Sequence, residues 1–448
     1  MRRTIMVLMF IAGFGGYLSG ADYASSRGGD WNDPATWNDI GVPRSGDNLV
    51  IEEGHKITVA KGAAPINISF KEGTIKKGGI LEIDYSSNGN KQVNIAIDAG
   101  GGLSVDGGVF VNRGNPDGEK NPGALNRIYT DMPKPGKNAY ILLSQSAKGK
   151  FYCVSFESLG KDAPQKYGVS AYYCGESVNV PALEMDYCTI SKGYYGLGLF
   201  MSNDIRVRNC LFQDCTYNIF LHDVSRMEIS DCTLKNATAH IFASGSQLGL
   251  SDSTVKNCVF EKAAAYAIFV AHDLSDSAFS DAKFLNNAID IYLASKSIME
   301  LRNSDFKNCV VDDPANGGVI SESHGGKDSD VIYIIGTYYI PKGGPVVWGG
   351  GQPFWKGGKP HSSVNVKFSP IGSSLVVPDG ASLSVTGTPE KRSRMDIEKG
   401  NRTWTFSKTG SLKLNYTDIT NFILNPATRI EAENSTIAES KPADDEEE

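Results

Sequence analysis

The sequence has no basic excess. Its 44 Lys and Arg are outnumbered by 51 Asp and Glu, for a net charge of −7, so it does not offer the positive face that a nucleic-acid partner requires. Past residue 21 no stretch is apolar enough to cross a bilayer. There is no CxxC pair and no His/Cys spacing of the zinc type, and only 6 histidines are present; no metal or cofactor is expected. Long helical runs are missing too. Among 448 residues there are 49 glycines and 19 prolines but only 10% aromatics, a balance that fits many tight turns and argues against an all-helical protein.

The ends are distinctive. Residues 1–21, MRRTIMVLMFIAGFGGYLSGA, place Arg2 and Arg3 before an apolar run that closes on small residues, the pattern of a secretory signal peptide. Gly13, Gly15 and Gly16 break the run and leave it short for a membrane anchor. No cysteine follows it, so a lipid anchor is not indicated. The product is expected outside the cytoplasm, secreted or at the cell surface, with no membrane span after cleavage. At the other end, residues 438–448 finish in five consecutive acids, Asp444 to Glu448, and read as a solvated tail.

What is present in the middle is self-similarity. LEMDYCTI (183–190), IRVRNCLF (205–212), MEISDCTL (227–234), STVKNCVF (253–260), SAFSDAKF (277–284) and MELRNSDF (299–306) superpose. The column Cys188, Cys210, Cys232, Cys258, Ala282, Ser304 advances by 22, 22, 26, 24 and 22 residues. Each copy alternates apolar residues, reaches a turn residue (Tyr187, Asn209, Asp231, Asn257, Asp281, Asn303), then a small residue and another apolar one. Asn and Asp tolerate a left-handed backbone best among non-glycine residues, so this column marks a sharp bend between two strands. A third strand follows each bend: GLGL at 196–199, NIFL at 218–221, HIFA at 240–243, AIFV at 267–270 and DIYL at 290–293. Three short strands and three turns in about 22 residues form one coil of an all-β, right-handed parallel β-helix, with like residues stacked ~4.8 Å apart along the axis.

The Asn-type bends and the strand Gly196 to Leu199 resemble the pectin-lyase-like superfamily of right-handed β-helix proteins. The likeness is firmest over the regular repeats, 183–311. Residues 22–110 read as an N-terminal cap and first coils; the segment DWNDPATW at 30–37 resembles the opening of many bacterial secreted β-helix proteins and, more distantly, the eight-glycine surface domain. Residues 111–182 read as coils with long loops, and 312–437 as C-terminal coils, since LKLNYTDI (412–419) nearly copies LEMDYCTI and Asn434 repeats the bend. The Gly/Pro-rich stretch 341–361, with Trp348, Phe354 and Trp355, reads as a long loop on one of those coils.

Eight cysteines in an exported chain invite disulfides, but the ladder register argues otherwise. Cys188, Cys210, Cys232 and Cys258 share one inward column, where parallel side chains point alike and strain a bridge; a stack of buried thiols is expected. Cys153 and Cys174 lie outside that column and are the one pair considered for a bridge. Outward, Glu184, Arg206 and Glu228 alternate in sign from coil to coil, as do Asp186 and Arg208. Cross-strand ion pairs explain these arginines without any role in chemistry.

On the third strand the alternation turns Ile219/Leu221, Ile241/Ala243, Ile268/Val270 and Ile291/Leu293 inward and Phe220, Phe242, Phe269 and Tyr292 outward. Enzymes of the resembled superfamily carry their binding groove on such a face. An exposed aromatic column marks a contact surface, and with Asn218, His240 and Asp290 beside it, and His222 on the other side, it suits sugar rings. The reading is a β-helix protein that binds an extracellular polysaccharide or plays a structural surface role. Two alternatives remain open: a loop, such as 341–361, covers the column, or the register is off by one. Hydrolases of this fold use paired carboxylates, and calcium-dependent lyases use clustered acids; this face offers Asp290, with Asp204, Asp223, Asp273, His222 and His272 at the following turn. A polysaccharide lyase or glycoside hydrolase is the alternative function, with Asp223, His222, Asp290 and Asp273 as its candidates, and calcium enters only there.

Overall fold

The computed structural model describes residues 20–439 apart from 60–65, 87–90, 135, 176–179, 246–249, 272–273, 276, 295–297, 303, 305–308, 312–317, 324–329, 341–344, 354–359, 369–373, 379, 398–410 and 423–428. The signal-peptide run and the acidic tail lie outside the described residues. Short parallel strands wind into a right-handed solenoid with three faces. On the first, Leu183–Asp186, Asn203–Arg208 and Val224–Ser230 pair in parallel, so that Met185 lies beside Val207 and Val207 beside Ile229. This buried ladder runs on through Val255, Phe279 and Leu301. On the second face Phe156, Ile190, Phe212, Leu234, Phe260 and Phe284 stack in the same way. The aligned repeats are therefore consecutive coils. One further copy, GKFYCVSF at 149–156, pairs in the same register with 183–190; its Gly149 in place of an apolar residue hides it from pattern reading.

The bends bear out the turn column and extend it. Tyr187, Asn209, Asp231, Asn257 and Asp281 have φ between 50° and 56°; Asn303 lies outside the described residues. A second corner is also left-handed, at Ser158, Lys192, Asp214, Asn236, Lys262 and Asn286, and a third at Tyr173, Met201 and Asp223. Lys, Met and Tyr occupy these corners because the paired strands on each side over-determine the conformation, at a cost of ~1–2 kcal/mol for each such residue.

The residue after a bend then closes it. Cys210 Sγ donates to the Arg208 carbonyl at 2.9 Å, Cys232 Sγ to that of Ser230 at 3.1 Å, and Cys258 Sγ to that of Lys256 at 3.3 Å. Ser202, Ser253 and Ser435 make the same bond with Oγ. The cysteine column is thus a hydrogen-bonding position that Ser or Thr also fills, as well as a packed one. All eight cysteines are free thiols. Cys153 sits at the first corner, with φ 53°, and Cys174 follows Tyr173 at the third. They occupy different corners of the coil, so the one pair considered for a bridge is not brought together.

Near the end of the regular repeats the core changes sides. Gly318–Ser323 pairs in parallel with Ile298–Arg302 but antiparallel with Asp330–Tyr339, and the strands that follow, Val364–Phe368, Ser393–Ile397 and Thr417–Phe422, keep the reversed direction. Met299, Leu301 and Val319 belong to the first core; Ile320, one residue on, belongs to a second with Ile332, Ile334, Val366 and Phe368. Successive residues of a strand point to opposite faces. The second core therefore lies on the opposite side of the shared sheet, and reversing both chain direction and inner face keeps the winding right-handed. The sequence reading had one helix running on to residue 437; the strands do continue, but around another core. Within the stretch read as a loop, Pro345–Gly349 is a strand paired with Ser382–Thr386, and Trp348 is buried in the second core. Phe354 and Trp355 lie outside the described residues.

Candidate functional site

The third face places three columns outward. Gly198, Phe220, Phe242, Phe269 and Tyr292 form the middle one; Tyr195, Tyr217, Tyr266 and Ile289 lie to one side, with the buried Ala239 in register between the last two tyrosines, and Tyr172, Phe200, His222 and Ser244 to the other. Their inward neighbours Ile219, Leu221, Ile241 and Ile268 are at most 1% exposed, so the alternation is as read from the sequence. The four aromatics are half-buried and stack on one another, with centroids 5.6, 4.3 and 5.3 Å apart and planes within 18°.

That stacking changes what the column presents. Rings stacked along the helix axis spend their faces on each other and turn their edges to solvent. Two rings of the flanking column are turned across the ladder. Tyr217 stands at 81° to Tyr195 and 76° to Phe242, and Tyr266 at 62° to Tyr292. The aromatic surface also reaches further than the sequence suggested. Tyr195 stacks on Phe220 at 4.6 Å, Tyr172 on Phe200 at 4.4 Å, and Tyr167 lies against Tyr195 at 4.7 Å and Phe200 at 5.2 Å. Gly198 leaves room for the Phe200 ring, which would lie 3.3 Å from a Cβ placed there, with Ser170 Oγ at 3.2 Å. Burial pushes the Tyr172 phenol up to about 12 and raises those of Tyr167, Tyr194 and Tyr195, so these groups are neutral hydrogen-bonding phenols at ordinary pH.

The polar residues expected beside the column are elsewhere. Asn218 and His240 have no exposure and Asp290 has 4%. Each lies within a strand, at the start of its third-face stretch, where the alternation breaks and two consecutive residues, such as Asn218 and Ile219, are both buried. Asn218 Nδ2 donates to His240 Nδ1 at 2.9 Å, and Asn287 Nδ2 donates to Asp290 Oδ1 and to the Phe260 carbonyl, each at 3.0 Å. Burial lowers the His240 pKa to about 4. These groups form an internal polar cluster and are not ligands on the outer face; Ala267, aligned with them and also buried, is the sequence signal that could have shown it.

At the opposite rim His222 Nε2 lies 3.7 Å from Asp223 Oδ2, and His222 Nδ1 is 3.3 Å from Ser244 Oγ. Asp223 occupies a left-handed corner at φ 52°. Asp204 is held by Arg226 through two contacts of 2.8 and 2.9 Å. His272 and Asp273 lie outside the described residues. Between residues 169 and 293 none of the outward positions named above carries a carboxylate. Among the described residues no three of His, Cys, Asp and Glu are grouped to hold a metal ion, and no helix is long and apolar enough to cross a membrane. On the first face the charges alternate as expected: Arg206 lies 3.5 Å from both Glu184 and Glu228, and Arg208 is 2.7 Å from Glu228.

Residues 140–332 match the family model described as the right handed beta helix region, a span that ends just past the change of core, in the strand Asp330–Tyr339. No curated protein matches. Among solved structures the chain is similar to the periplasmic alginate epimerase AlgG, at 11% identity and a TM-score of 0.37, over 90% of this chain and 86% of that one. The Dettilon tailspike protein is similar at 10% and 0.28 over 82% and 62%, and the PL6 family alginate lyase AlyGC at 11% and 0.21 over 93% and 76%. Likenesses of this size carry no chemistry over to this chain.

Proposed function

We propose that this chain, a right-handed parallel β-helix protein of the pectin-lyase-like fold, is exported and binds an extracellular polysaccharide on the aromatic third face. The observation that supports the reading is the aromatic surface itself, continuous from Tyr172 to Tyr292. An apolar strip of that length is costly to leave in water unless something lies on it. The stacked rings of Phe220, Phe242, Phe269 and Tyr292 make the floor. Tyr217 and Tyr266, turned across that floor two coils and so ~10 Å apart, match the length of a disaccharide, and they supply the ring faces on which sugars stack. Neutral phenols, His222 and Ser244 at the rims supply hydrogen bonds to hydroxyls.

Binding is favoured over bond cleavage because glycoside hydrolysis needs two positioned carboxylates and, among the described residues, the outward columns hold none between Tyr172 and Tyr292; the one that Tyr172 belongs to reaches a single carboxylate, Asp106, two coils earlier. The lyase or hydrolase alternative would have to draw on His222 and Asp223 at the rim, and calcium would enter only in its lyase form. Affinity electrophoresis of the full chain through gels of acidic and neutral glycans tests the proposal, with unsaturated products and new reducing ends assayed in parallel. Retardation by one glycan class without product is the expected result. Product formation favours the alternative, and migration unaffected by every glycan contradicts both.

A further inference from the structure

We infer that the outer face of the second solenoid holds a second binding site, for an oxyanion carried on a hydroxylated ligand. It is independent of the aromatic face. Because the core changes sides, the outer face of the second solenoid lies on the side of the sheet that carries the first core, and a cleft of about 530 Å3 opens on it. Its floor is a grid of parallel strands: Asn365 beside Arg394 beside Asp418, and Lys367 beside Asp396 beside Thr420, with Thr436 at the end.

The two carboxylates are engaged within the protein. Asp418 is held by Arg392 through contacts of 2.6 and 2.9 Å, which keeps its pKa below the usual carboxylate range, and Asp396 accepts from Thr420 Oγ1 at 2.8 Å. The two cations that line the cleft are less firmly held, although the Arg394 charge acts on the neighbouring Asp418 and helps to lower its pKa. Among the described residues neither Lys367 nor Arg394 comes within ion-pair distance of a carboxylate; the Lys367 ammonium lies 5.9 Å from the ring of Tyr333, which is 39% exposed. Lys367 and Arg394 occupy diagonal positions of the grid, so a carboxylate, sulfate or phosphate can be met by a compact ammonium and a forked guanidinium together. Asn365 and Thr436 are placed to bond hydroxyls of the same ligand.

Calorimetric titration of the full chain with sulfate, inorganic phosphate, galacturonate and neutral galactose tests this and separates the possible anions. Saturable binding of at least one anionic probe, absent with galactose and weakened by added salt, is expected. Lys367→Ala and Arg394→Ala should each weaken it about tenfold or more, the scale of a lost charge-assisted hydrogen bond, whereas Tyr217→Ala, on the aromatic face, should leave it unchanged. Asp396→Asn should tighten it, an outcome that misfolding cannot imitate. Binding that galactose matches, binding indifferent to Lys367 and Arg394, or no saturable binding by any anion overturns the inference.

Discussion

The two solenoids use one corner design for different ends. In the first, the residue after the bend is mostly cysteine; in the second, Thr417 and Ser435 follow Tyr416 and Asn434, whose φ values of 46° and 51° repeat the left-handed corner. Thr417 Oγ1 donates to the Asn415 carbonyl at 3.0 Å, as Cys210 Sγ does to that of Arg208 at 2.9 Å. Corner geometry, and not the chemistry of sulfur, is what the repeat preserves. Both solenoids carry outward charge, the first as the ion-paired ladder of Glu184, Arg206 and Glu228, but the faces read here as binding surfaces diverge. On its third face the first solenoid exposes stacked aromatics that lean on one another, and the second exposes a polar grid in which Lys367 and Arg394 make no ion pair among the described residues. A parallel β-helix therefore fixes spacing and direction while leaving its outward columns free to become an apolar or a charged surface.

The sharpest way to break the comparison is at the strand where the cores trade sides. Ile320 is fully buried in the second core, while its neighbour Val319 is buried in the first. Ile320→Asn should cost about 3–5 kcal/mol, through lost packing and an unpaired amide, and should destabilise residues beyond 318 while sparing the earlier coils. Calorimetry with limited proteolysis checks this: two separated transitions, with cleavage confined to the C-terminal half, are expected.

Next in size is a pH effect confined to the first solenoid. The folded protein holds the His240 pKa near 4 by burial, below the ordinary value of about 6.5. Between these values the unfolded chain binds more protons than the folded one. Stability is then complete above pH ~6.5, falls as the pH drops towards 4 and levels off below, by up to about 3 kcal/mol in all. His240→Gln should flatten that slope in melting curves taken across the window, even if it lowers stability throughout.

Smaller still, Asn257→Val puts a β-branched residue at a left-handed corner of φ 52° and should cost about 1–2 kcal/mol by denaturant titration; Asn434→Val should cost a similar amount if the two solenoids share the corner design. Least of all, Arg208→Ala removes a part-exposed pair with Glu228 and should change stability by no more than about 1 kcal/mol, less at high salt.

The repeat, its bend column and the outward aromatics were legible because each follows a strict period, 22 along the chain or 2 along a strand. Asn218, His240 and Asp290 were not, because the start of each third-face stretch breaks the period of 2 and buries two neighbours together. Ring orientation was hidden for another reason: a column of Phe specifies that rings meet, but stacking edge-out is decided by coil spacing and packing. The change of core side left only a faint trace, in Val319 and Ile320 standing as adjacent apolar residues where the first-face repeats alternate, and the cleft that depends on it was missed altogether.

If the aromatic face is a binding surface and not merely a self-stacked outer layer, the rings turned across the ladder should carry the affinity. Affinity electrophoresis of Tyr217→Ala/Tyr266→Ala beside the unaltered chain, with melting temperatures for both, tests it most directly. Both tyrosines are half-buried at the edge of the ladder, so glycan retardation should be lost, by about 1 kcal/mol or more per ring, with little change in melting temperature. Retardation that survives the double substitution in a folded protein would contradict it.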